Sequence, residues 1–210
     1  MISDVIRLSS DHSEDYEMIV SEAEKSALYC GLAPKQALRL RLLAEELVCL
    51  LPHILQIGDG EFYIEEEANE FELHVTINPE DYDLIDRERI ISISTSGKNA
   101  AAKGIINKIC IAVECLLAEQ VNAAKDMPYD FYGMGMSEYG SMSSWSLMNY
   151  RDIVYDSYKN ESDEPNGEEQ PSETAEKWDE LEKSILGKLA DDVTVGIIDN
   201  MVEIVVKKKF

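Results

Sequence analysis

The sequence predicts an α+β fold, and three observations carry that expectation. Two stretches, residues 61–77 and 192–207, alternate apolar and polar residues on either side of a short turn. Four longer stretches repeat apolar residues at the spacing of a helix. The chain has 210 residues with a hydrophobic fraction of 45%, enough to build one core, in one domain or in one domain with an appendage.

The elements follow in order. Residues 4–9 have the alternation of a strand, with Val5, Ile6 and Leu8. Ser10 or Asp11 can cap a following helix, with Glu14 placed three residues after Asp11 as in a capping box. That helix covers 13–29, and its apolar set is Tyr16, Ile19, Val20, Ala23 and Ala27. Gly31 suits the left-handed position that closes it. Pro34 belongs in the first turn of a second helix that reaches about residue 55, with Pro52 expected to kink it or end it early. Leu38, Leu42, Glu45, Glu46 and Cys49 fall on its neighbouring faces. Gly58-Asp59-Gly60 is a turn, and strands 61–66 and 70–77 form a hairpin about Glu67-Ala68-Asn69. Phe62, Ile64, Phe71, Leu73, Val75 and Ile77 give that hairpin one buried face. Asn78-Pro79-Glu80-Asp81 ends the second strand.

Residues 90–93 read equally as a short strand or a helical turn. A helix is expected over 100–120, with Ile105, Ile106, Ile109, Val113, Leu116 and Leu117 apolar. Residues 127–150 are rich in Met, Tyr, Gly and Ser without a clear period, and 160–172 is an acidic, polar linker expected to be disordered. Residues 173–191 read as one amphipathic helix with Trp178, Leu181, Ile185 and Leu189 on one stripe. Strands 192–198 and 201–207 then form a hairpin about Asp199-Asn200. The domain division is therefore 1–121, an insertion or linker over 122–172 that is partly disordered, and 173–210, which completes the domain.

Charge bounds the partners. With 42 acidic and 19 basic residues the formal charge is −23. A nucleic-acid backbone needs Lys and Arg against its phosphates, and an anionic membrane needs the same, so neither is expected. Protein partners, basic ones above all, remain. The N-terminal residues MISDVIRLSSDHSEDYE carry acids where a cleavable apolar run would stand, and no apolar run reaches membrane-spanning length. Cys30, Cys49, Cys110 and Cys115 form no C-x-x-C pair and read as reduced core thiols of a cytoplasmic protein. His12, His53 and His74 are scattered, so no metal site is expected.

The helix GLAPKQALRLRLLAEELVCLLPHI, with its acidic pair Glu45-Glu46, resembles the motif helix of the GHKL ATPases. The order strand, helix, helix, strand, strand, insertion, helix, strand, strand is similar to that of the anti-sigma-factor serine kinases within that superfamily. The similarity covers about residues 1–83 and 177–210. It implies a two-layer α/β sandwich, a mixed and mostly antiparallel sheet with helices on one face. It also implies a nucleotide held between those helices and a mobile lid.

The family's functional positions transfer unevenly. Its catalytic base falls on Glu46. Its Mg²⁺-holding Asn falls on Leu50, and a leucine offers no oxygen ligand to a hard cation. Its adenine-recognising Asp falls near Asn78, where Pro79 and Glu80 replace the glycines that should follow. Its phosphate-binding glycines should precede the helix of Trp178, but PSETAEK has none, and Glu173 and Glu176 would repel phosphates. Gly97 and Lys98, ahead of a helix, are the candidates for a displaced phosphate loop; Gly133-x-Gly135 is a weaker one.

The resemblance thus implies a non-catalytic domain that binds a regulatory protein, such as a sigma factor or an anti-anti-sigma-like protein. No cofactor is then required. The alternative is an active serine/threonine kinase using ATP and Mg²⁺, with Glu46 as base, Asn78 on adenine and Gly97-Lys98 on phosphate. Family members often dimerise, so a homodimer is open. Glu45 and Glu46 also read simply as solvated helix charge. The Met- and aromatic-rich stretch 127–158 reads either as cover for this chain's own core or as a partner-binding arm.

Overall fold

A computed structural model describes residues 1–9, 14–54, 58–78, 105–120, 144–162, 173–199 and 201–210. Six strands form one sheet in the order β1-β2-β3-β6-β5-β4. They are β1 Ile6–Leu8, β2 Gly60–Glu67, β3 Glu70–Ile77, β4 Ser144–Ser146, β5 Asp192–Ile198 and β6 Met201–Lys209. The helices are α1 Glu14–Tyr29, α2 Pro34–Ile54, α3 Ile105–Gln120, α4 Leu147–Ser162, α5 Glu173–Lys183 and α6 Ile185–Leu189. The fold is α+β, as the two hairpins and the helical periods predict. Every strand pairing is antiparallel, so the mixed sheet is corrected to an antiparallel one among the described residues. The reason lies in the return of the chain. β6 starts beside the end of β3, with Val202 opposite Ile77, and runs back along it.

Strand alternation sorts the side chains onto two faces. One row crosses all six strands: Ile6, Phe62, Val75, Ile204, Val195 and Trp145. All six are buried in a single core. A second row, Ile64, Leu73, Val206 and Val193, lies on the same face and is fully buried. The helices cover this face. α2 contributes Leu40, Leu43, Ala44, Leu47, Leu50 and Leu51, an i, i+3, i+4, i+7 stripe. α1 adds Ile19, Ala23 and Ala27, and α3 adds Ile109, Ala112, Val113 and Leu116. Leu38 and Cys49 stand off the α2 stripe and are exposed, so Cys49 is not a core thiol.

Local chemistry sets the helix ends. Gly31 has φ +68°, and the bonds from Gly31 N–H to Leu28 O (3.1 Å) and from Leu32 N–H to Ala27 O (3.0 Å) close α1 in a Schellman motif. Gln36 Oε1 accepts from Ala33 N–H at 2.9 Å, the reciprocal half of a capping box at the start of α2. Pro52 lies inside α2, which runs on to Ile54 rather than ending early. In the β2–β3 hairpin, Ala68 and Asn69 both have positive φ (54° and 64°), a two-residue turn whose twist suits the strands.

Two departures from the sequence reading concern the C-terminal half. Residues 144–162, inside the stretch read as an insertion, add an edge strand and a helix to this same sheet and core. Trp145, Leu147, Tyr150 and Val154 are all buried there. Those four cover the chain's own core, while Met148, Ile153 and Tyr155 stay exposed. The single helix expected over 173–191 is two. Ser184 interrupts it, and its Oγ accepts from Gly187 N–H at 3.1 Å to cap α6. A Cβ on Gly187 would lie 2.4 Å from Leu181 O, so the second helix folds tightly onto the first. Of the linker expected over 160–172, residues 160–162 instead end α4, and the rest, like the expectations for 90–93 and for Ser10 and Asp11, lies outside the described residues. No helix among the described residues is long and apolar enough to cross a membrane.

Candidate functional site

The residue singled out on α2, Glu46, is half-buried and borders a cavity of about 580 Å³. Ile105 and Ile106 at the start of α3 close one side. Glu176, Asp179, Glu180 and Lys183 of α5, with Ser184, close the other. Burial raises the pKa of the Glu46 carboxyl above its usual range. Lys183 is already paired with Asp179 one turn earlier. One turn beyond Glu46, Leu50 is fully buried in the core. Glu45 behaves differently. It points outward and accepts from Arg41 Nε at 2.8 Å, while Arg41 also reaches Glu24 of α1 at 2.6 Å.

Asn78 is exposed at the end of β3, where its N–H donates to Asp59 O at 2.9 Å. It borders a different, open groove between α1 and the β1–β2 edge, beside Met18, Ser21, Asp59 and Thr76. Glu46 and Asn78 therefore line separate hollows. Gly97 and Lys98 lie outside the described residues, as does Gly133-x-Gly135.

A cluster of ionisable side chains lies on the other face of the sheet. There Glu65 faces Glu72 across β2 and β3, Tyr63 faces His74, and Glu203 and Lys207 follow on β6. The Tyr63 and His74 rings stack at 4.6 Å with 5° between their planes. His74 is 7% exposed although it lies on the polar face. Its Nδ1 lies 3.2 Å from Glu203 Oε1. A carboxylate can only accept, so Nδ1 carries the proton and donates. Its Nε2 is buried without a hydrogen-bond partner. The nearest acceptor, Glu72 Oε2, is 3.3 Å away, an ion-pair distance that does not meet hydrogen-bond geometry. Glu72 uses its other oxygen for Lys207 Nζ at 2.6 Å, and that ammonium holds the Glu72 carboxyl below its usual range against the effect of burial. Tyr63 is pushed the other way, by burial first and then by Glu203, Glu65, Glu72 and Glu61 around its hydroxyl. One donor atom each from Glu65, Glu72 and His74 lies within 4.8 Å of the other two.

Along the sequence the three histidines are scattered, and their spacing gives no sign of this cluster. The register that sets Glu65 opposite Glu72 and Tyr63 opposite His74 comes from a two-residue Ala68-Asn69 turn, with Glu67 inside β2, whereas the sequence points to a three-residue turn over Glu67-Ala68-Asn69 and so to a different register. Glu203 could not be found that way. It is 129 residues from His74 and meets it only through the β3–β6 pairing.

Neither family models nor curated proteins nor solved structures match this chain.

Proposed function

We propose that this chain is a degenerate member of the GHKL ATPase fold, nearest the anti-sigma-factor serine kinases, and acts as a non-catalytic regulatory domain that binds another protein. The observation that carries the reading is the chemistry around Glu46. At the position corresponding to the family's Mg²⁺ ligand stands Leu50, wholly inside the core. The adjoining cavity carries Glu46, Glu176, Asp179 and Glu180 against one lysine that is already paired. Triphosphate oxygens entering it would meet like charge in a partly desolvated space. The element order, two helices between the first strand and a hairpin and a second hairpin at the end, supports the family assignment.

The partner is a basic, cytoplasmic regulatory protein, a sigma factor or anti-anti-sigma-like protein by analogy with the family. A charge of −23 favours its approach. Leu28 and Tyr29 at the end of α1, 79% and 80% exposed, offer apolar contact area to such a partner. Self-association into a homodimer belongs to the same reading.

Thermal denaturation with and without excess Mg-ATP tests it. The expected result is an unchanged midpoint. A ligand at a hundred times its dissociation constant adds about 2.7 kcal/mol, which is about 5–10 °C for a chain of this size. A shift of that size would overturn the reading.

One observation favours the alternative of an ATP- and Mg²⁺-dependent serine/threonine kinase. Glu46 borders a cavity and its raised pKa suits a proton acceptor. In that case Glu46→Gln abolishes phosphoryl transfer and leaves the fold intact, whereas a regulatory domain keeps its partner in the same variant.

A further inference from the structure

We propose that Glu65, Glu72 and His74 form a binding site for one divalent transition-metal ion, Zn²⁺ being the ion their chemistry suits best, on the face of the sheet turned away from the helices. The site stands apart from the Glu46 cavity and does not depend on the regulatory reading.

The first argument is geometric. The three donors come from adjacent strands on one face and lie within 4.8 Å of one another. Zinc binds imidazole nitrogen and carboxylate oxygen at about 2.0–2.2 Å. Closing on an ion takes only rotamer adjustment of Glu65 and Glu72, which are part-exposed.

The second argument is the buried nitrogen. A histidine more than nine-tenths buried with Nε2 lacking a hydrogen bond is costly. With Glu203 accepting from Nδ1–H, the neutral ring carries its lone pair on Nε2, the nitrogen that lies 3.3 Å from Glu72 Oε2. A carboxylate on the far ring nitrogen is the usual orienting partner of a metal-bound histidine, and the Tyr63 ring, stacked flat on His74, holds it in that orientation.

The third argument is charge. Glu65, Glu72 and Glu203 surround one imidazole and one ammonium, Lys207, whose ion pair is with Glu72 Oε1. Glu72 Oε2 remains on the His74 side. Among the described residues Glu65 makes no ion pair. A dication between Glu65, Glu72 and His74 offsets that excess negative charge. One imidazole with two carboxylates is a borderline donor set that suits zinc better than the all-oxygen cages of Ca²⁺ or Mg²⁺.

The test is calorimetric titration of the full chain with Zn²⁺, after a chelator has been used and removed. The expected result is one tight equivalent. Glu65→Gln, a part-exposed position, is expected to weaken it by more than tenfold, and Glu203→Gln by roughly tenfold through loss of the orienting carboxylate. Long-range ¹H–¹⁵N spectra of the wild type, with only three histidines in the chain, should show Zn²⁺ moving the Nε2 signal of His74. That readout stands even where His74→Asn fails to fold. Weak, multi-site uptake that is the same in wild type and Glu65→Gln would overturn the proposal, since 42 carboxylates can bind zinc diffusely. So would a His74 signal that zinc leaves unmoved.

Discussion

The two faces of the sheet are built from the same strands and solve opposite problems. The inner face is a row of Ile6, Phe62, Val75, Ile204, Val195 and Trp145 pressed against helices. Its contribution is burial, without direction and in proportion to area. The outer face carries Glu61, Tyr63, Glu65, Glu72, His74, Glu203 and Lys207, where each contact depends on partner and angle. A change on the first face alters how much apolar area is buried. A change on the second alters which directional contacts are made. The sheet thus separates burial from directional contact by no more than the alternation of its side chains.

The sharpest way to break that contrast is to exchange one residue on each face of the same hairpin. Phe62 is fully buried. Phe62→Ala is expected to cost about 3–5 kcal/mol through lost burial and the cavity left behind. Thr76, part-exposed on the opposite face of the neighbouring strand, should tolerate Thr76→Ala within about 0.5 kcal/mol. Urea denaturation of the pair measures both. Equal losses would mean that the outer face is also packed as a core.

The same contrast explains what could be read beforehand. Both hairpins were legible because a strand with one buried face has to alternate, and residues 70–77 and 192–198 coincide with β3 and β5. The α1 stop at Gly31 was legible because few residues accept φ +68°. β4 and α4 were not, although Leu147, Tyr150 and Val154 have helical spacing. The Ser- and Met-rich stretch before them carries no period, and an edge strand of three residues is too short to show one. The break at Ser184 was hidden because Leu181 and Ile185 keep helical spacing across it. At the candidate sites, the exposure of Glu45 and the burial of Leu50 follow from the α2 stripe. The neighbours of Glu46 come from α3 and α5, which no local pattern connects to it.

A smaller effect sharpens the comparison from the polar side, where one residue does structural work through direction alone. Asp192 accepts from Ser146 Oγ at 3.0 Å and from Met148 N–H at 2.9 Å, so β5 anchors the first turn of α4. Asp192→Ala leaves those donors unmatched and is expected to cost about 1–2 kcal/mol. Hydrogen exchange at the Met148 amide should rise more than exchange in β3. An amide at Met148 that stays protected would show that Trp145 and Leu147 hold the junction by burial alone.

The smallest effect concerns a charge placed between the two regimes. Glu46 is on the helix side, yet it is ionisable and half-buried, and its carboxyl has a raised pKa because burial penalises the charged form. The folded chain therefore holds this proton more tightly than the unfolded chain, whose reference value is 4.5. As pH rises from that value through the folded pKa, the group makes the fold less stable, and above the window the full penalty remains. Glu46→Gln removes it. The variant should melt at a higher temperature than wild type at neutral pH, by an amount within about 1 kcal/mol, and the gap should close as the pH falls below 4.5. A gap that stays constant with pH would mean that the gain comes from packing and not from the charge. A loss of stability at neutral pH would mean that the carboxylate is bound to a cation or donor in the cavity.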